Sequence, residues 1–94
     1  MTQPPRLETY RRIGPFDADS LPRGLLSEHR LKPGSWGRVE VLSGSITMVW
    51  DDGTDEPQQL SAGDVVLVPP ERPHHLVEDG PFTLAIEFQR DAAD

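Results

Sequence analysis

Hydrophobic and polar residues alternate along much of this chain with a period of two, the spacing that turns one face of a β-strand toward a core. In Phe82-Thr83-Leu84-Ala85-Ile86-Glu87-Phe88, four apolar residues (Phe82, Leu84, Ile86 and Phe88) share a face. Ile46, Met48 and Trp50 repeat the pattern, and Val65-Val66-Leu67-Val68 is apolar on both faces, as a strand buried on two sides is. Leu25 to Leu31 also alternates, with Leu25, Ser27, His29 and Leu31 on one side and Leu26, Glu28 and Arg30 on the other. Turn residues stand between these runs: Asp51-Asp52-Gly53 is a hairpin signal, and Ala62-Gly63-Asp64 a tight turn into the next strand. The pattern predicts about eight strands, near 8–13, 24–31, 36–42, 45–50, 57–60, 64–68, 74–78 and 82–89. Prolines and glycines recur too often to leave space for a long helix. Short strands with regular turns predict an all-β sandwich or barrel.

Length and charge narrow the picture. The 94 residues, 10.5 kDa in mass, form one domain, 1–94, with a core over about 9–90 and frayed ends that include Arg90 to Asp94. A net charge of −7 argues against partners that present phosphate backbones or anionic lipid, so neither nucleic acid nor membrane is expected. There are no cysteines, which excludes disulfide scaffolds, thiolate metal sites and cysteine nucleophiles. No apolar run approaches the ~20 residues that span a bilayer. Residues 1–5 lack the basic and apolar regions of a secretory signal, so a soluble, cytoplasmic protein is expected. An antiparallel domain this small has sheet edges to protect, and a homodimer is the expected assembly.

Candidate chemistry centres on three histidines. His29 shares the more apolar face of its segment and points at a core or a cavity, where a histidine is more often a hydrogen-bonded core or rim residue than a ligand. His74 and His75 are adjacent and must face opposite ways; Leu76 follows one and Val77 the other, so parity leaves open which is inside. Glu87 lies opposite the apolar face of its strand, the placement of a solvated carboxylate. Glu40 shares a face with Arg38, as a surface ion pair would. The run Asp51, Asp52, Asp55, Glu56 lacks the ligand spacing of a calcium loop and is read as a solvated hairpin tip. No glycine-rich phosphate loop and no nucleophile elbow is present.

The order of motifs resembles a known family. Glu40-Val41-Leu42-Ser43-Gly44 is similar to the end of the first cupin motif. Ala62-Gly63-Asp64 through Pro69-Pro70, followed by Pro73-His74, is similar to the second. Where metal cupins carry a His-x-His pair, this chain has Pro33-Gly34-Ser35-Trp36-Gly37. A nearer resemblance runs from about Thr9 to Arg90, carried by Glu28-His29-Arg30, Gly34 to Val39, Pro69 to His74 and Ile86-Glu87-Phe88. It is to the cupin-like domain of the tellurite-resistance-associated proteins. That resemblance implies a cupin-type jelly roll in which His29, His74 and Glu87 converge on one divalent metal, zinc or iron. Trp36 and Arg38 would then line the mouth for a small, anionic ligand. The implied function is metal or small-ligand binding in a stress or toxic-anion (tellurite) response. The alternatives are a metal-dependent cupin enzyme, dioxygenase-like or hydrolytic, and a structural or regulatory dimer with an empty cavity.

Overall fold

The computed structural model describes residues 6–92. Five strands and one short 3-10 turn make up the regular structure: β1 (Leu7–Phe16), the turn Arg23–Leu26, β2 (Trp36–Trp50), β3 (Gln58–Ser61), β4 (Val65–Val68) and β5 (His74–Asp91). All pairings are antiparallel, in the order β1-β5-β2-β3 with β4 added to β2. The fold is an all-β barrel of the cupin type, as the sequence predicts. No helix among the described residues is long and apolar enough to cross a membrane.

Two of the predicted breaks are bends within single strands. The expected strands near 36–42 and 45–50 are the two legs of β2, and those near 74–78 and 82–89 are the two legs of β5. The β2–β5 ladder survives both corners because the register slips between Val41 and Ser43 and again between Gly44 and Ile46. Such irregularities bend a strand without ending it. Gly44 makes the corner possible: its φ is +69°, and a Cβ there would run into the Pro81 carbonyl. One leg of β2, Trp36–Val41, pairs with β4 and with the end of β5. The other leg, Ile46–Trp50, pairs with β3 and with the start of β5. The bent sheet thereby folds over on itself. Val39, Val41, Leu84 and Ile86 from one half share a single core with Ile46, Met48, Trp50 and Leu76 from the other.

The second expected strand, near 24–31, does not form. Over 24–31 the chain makes a 3-10 turn after Pro22, with the Leu25 N–H donating to the Pro22 carbonyl at 3.1 Å. A single bridge follows, in which the His29 and His74 backbones exchange N–H···O bonds of 3.0 Å each way. Proline fixes the local φ and Gly24 weakens any extended preference, so the turn wins over the alternating pattern. At the C-terminal end, Arg90 and Asp91 belong to β5 and pair with Glu8 and Leu7, so the fraying expected from Arg90 onward does not begin there. The remainder of the expected frayed ends, residues 1–5 and 93–94, lies outside the described residues.

Candidate functional site

Between the two halves of the bent sheet lies a cavity of about 80 Å³. Its walls are almost wholly apolar: Val39, Met48, Val68, Leu76, Ile86 and Phe88 from the strands, Leu25 and Leu31 from the connecting segment. Gly37 belongs to the wall as well, and a Cβ there would approach Leu31 Cδ1 to 3.0 Å, so the glycine leaves space for that leucine. Two polar side chains face this cavity, the imidazoles of His29 and His74.

The two rings meet edge to face with centroids 4.2 Å apart. Each is fixed by its own backbone. His74 Nδ1–H donates to the Arg72 carbonyl at 2.7 Å, and His29 Nδ1–H donates to the Ser27 carbonyl at 3.0 Å. A carbonyl can only accept, so Nδ1 carries the hydrogen in both rings. In the neutral form Nε2 then keeps its lone pair. Neither Nε2 has a hydrogen-bonding partner among the described residues. Burial is the main force lowering the His74 pKa below the ordinary histidine value; its bond to the Arg72 carbonyl opposes this, and the neighbouring His29 adds to it. At neutral pH the ring is therefore an uncharged acceptor in an apolar chamber.

Burial in the structure settles the His74–His75 alternative that parity leaves open. His74 is 4% exposed and faces the cavity. His75 faces the other way, where its Nδ1 lies 2.8 Å from Asp51 Oδ2. Trp50 lies beyond His74 with the two rings tilted by 54° and their centroids 6.0 Å apart, and the Arg72 guanidinium covers the Trp50 ring at 3.8 Å. Arg72 is in turn held by Asp52 at 2.8 Å and by Asp55 and Thr54 at 2.7 Å. The acidic hairpin tip thus serves as the anchor of that arginine, whose hydrogen bonds push the Asp52 carboxyl down to about 2.

The other residues implied by the resemblance lie elsewhere. Ile86 and Phe88 face the cavity, so Glu87 between them faces the opposite side of the sheet. There it receives Arg38 Nη1–H at 2.9 Å and lies 3.6 Å from Arg12. Arg38 also lies 3.7 Å from Glu40, the surface pair the sequence suggests. Trp36 and Arg38 alternate with Gly37 and Val39, which line the cavity, and so they too are on the outer face and not at its mouth. A divalent zinc or iron site needs three or more protein donors. Among the described residues no three His, Asp or Glu side chains converge, so the residues present do not fit the expected metal. The structure joins His29 to His74 and separates both from Glu87, Trp36 and Arg38.

Sequence reasoning also missed a second concavity beside the first. It is a groove of about 340 Å³ bounded by Tyr10, Arg11, Arg30, Lys32 and Ser35, with Leu31 and Phe88 shared with the cavity. Its polar residues come from β1 and from the 30–35 segment, about 20 positions apart, and no local motif joins them.

The TehB-like domain family matches residues 11–86 of this chain. TehB from Haemophilus influenzae superposes with a TM-score of 0.81 at 20% identity, over 90% of this chain and 32% of TehB. A protein from E. coli strain K12 superposes equally well, TM-score 0.81 at 22% identity, over 97% of this chain and 98% of its own. A cupin protein from Bacteroides fragilis gives a TM-score of 0.57 at 23% identity over 72% of this chain and 55% of its own. The chain therefore spans about a third of one relative and nearly all of another. A search of curated proteins gave no match.

Proposed function

Since the chain belongs to the TehB-like domain family, we propose that it is a small-ligand-binding cupin whose site is the cavity held between His29 and His74. The ligand class we assign is the protonated form of a weak oxyacid, of the toxic-anion type to which tellurite belongs. One observation carries this reading: two imidazoles, each tied through Nδ1 to a backbone carbonyl, leave two Nε2 lone pairs beside an apolar chamber of about 80 Å³. An O–H donor fits such acceptors, whereas a fully ionised oxyanion would present oxygen lone pairs to nitrogen lone pairs at high cost in a low-dielectric site. Binding is favoured over turnover because the cavity wall holds no nucleophile and no titratable group besides these two rings.

The test is histidine-selective ¹⁵N NMR of the protein titrated with tellurite. The His29 and His74 Nε2 resonances are expected to shift saturably. His75, facing the opposite way and engaged by Asp51, is the internal control. Equal movement of all three, or none at millimolar tellurite, would sink the reading.

A further inference from the structure

We propose that the groove beside the imidazole cavity is a separate binding site for a small organic anion with an apolar body, of the aromatic carboxylate class. The inference stands apart from the cavity reading and uses different polar groups. Arg11, Arg30 and Lys32 converge on a space of about 340 Å³ in a chain whose net charge is −7. Arg11 and Lys32 make no ion pair or hydrogen bond with any described residue. Among the described residues the one ion pair of Arg30 is with Glu28, at 3.9 Å between two largely exposed side chains, a contact too loose to hold it. Three cations in an acidic protein, two of them without partners among the described residues, make a local field that attracts one small anion while the overall charge repels polyanions.

Beside these charges stand two hydroxyls. Tyr10 Oη and Ser35 Oγ lie 2.7 Å apart, and Ser35 is 4% exposed. One O–H of the pair is used in their mutual bond, so the other remains free to donate to a carboxylate oxygen. Arginine adds the planar fork that matches a carboxylate in bidentate fashion. The floor is apolar: Leu31 and Phe88 separate the groove from the cavity, and register places Arg11 directly beside Phe88. A cationic and hydroxylic rim over an aliphatic and aromatic floor selects a ligand with an anionic head and a flat apolar body. The volume falls within the range of small-molecule sites.

Isothermal titration with three probes tests this. Benzoate is expected to bind saturably, more weakly as salt is added. Benzamide, which keeps the body and loses the charge, and inorganic phosphate, which keeps the charge and loses the body, are each expected to bind at least tenfold more weakly. An Arg11→Gln, Lys32→Gln double variant is expected to weaken benzoate at least tenfold with an unchanged thermal midpoint, since neither side chain has a partner to lose. A His74→Leu variant should keep benzoate affinity even if it loses its response to tellurite, which separates failure of this site from failure of the cavity reading. Equal affinity for benzoate and benzamide, equal affinity for benzoate and phosphate, unaltered binding by the double variant, loss of benzoate binding in folded His74→Leu, or no saturable benzoate binding would each overturn the proposal.

Discussion

Replacing His74 by leucine tests the central claim about the cavity, that a buried, neutral imidazole lines it. Leucine is close in size and adds no charge. It removes the 2.7 Å bond to the Arg72 carbonyl, which costs about 1 kcal/mol at neutral pH, partly offset by the extra apolar burial. Lowering the pH changes the sign. The folded pKa of His74 is depressed, chiefly by burial, so in acid the unfolded chain takes up a proton that the folded chain resists. Stability from this residue is therefore fully present above the unfolded value of about 6.5 and is lost as pH falls below it. The loss has a limiting slope of about 1.4 kcal/mol per pH unit, which gives at most about 2 kcal/mol by pH 5. His74→Leu escapes that loss. The variant should be less stable than the wild type by up to about 1 kcal/mol near pH 7.5 and equal or more stable near pH 5. Urea unfolding followed by tryptophan fluorescence measures both, and the remaining titrating groups largely cancel in the difference. A stability difference that stays constant between the two pH values would refute the buried neutral ring.

Three further outcomes are expected. Gly44→Ala should cost at least about 3 kcal/mol in urea unfolding, because it combines a positive φ with a clash against the Pro81 backbone; a cost under about 0.5 kcal/mol would show that the corner relaxes freely. Zinc titration should give a binding free energy short of the about 10 kcal/mol at which structural zinc sites begin, and Glu87→Gln should leave it unaltered; tight binding lost in that variant would contradict the outward placement of Glu87. Light scattering should report twice 10.5 kDa, since Val65 and Leu67 are 44% and 42% exposed on β4, a strand paired along one side only; a Leu67→Glu variant should shift the mass toward one chain.

The fold was legible because alternation survives where it is set by burial. Phe82, Leu84 and Ile86, and likewise Ile46, Met48 and Trp50, are buried on one face as their spacing requires. What the pattern could not supply was continuity. Gly44 and Gly80-Pro81 look like turn signals in one dimension, but in a bent antiparallel ladder they are corners that let the pairing continue. The 24–31 segment shows a different limit. Its alternation places Leu25, His29 and Leu31 on one face, and all three do reach the cavity, although the element is a turn and a single bridge. Burial decided which side chains point inward; proline and glycine decided the backbone that carries them.

The candidate site divides along the same line. His29 was found because it shares an apolar face with Leu25 and Leu31; parity left His74 and His75 open, and the resemblance singled out His74. Glu87 was assigned by resemblance against its own parity: it lies between Ile86 and Phe88, and a strand cannot turn 86, 87 and 88 to one side. The physical cost points the same way. Turned inward, the Glu87 carboxylate would leave Arg38 and Arg12 for a chamber lined almost wholly by hydrocarbon, and burying a charge without a partner is far more costly than keeping this half-buried network. The same parity places Arg12 against Glu87 and leaves its neighbour Arg11 on the Phe88 side, without a hydrogen-bond or ion-pair partner among the described residues. One arginine of the pair is spent on the outer face of the sheet. The other stands where the groove opens, and that difference in partnership is what makes the groove, and not the outer face, the place for an anion.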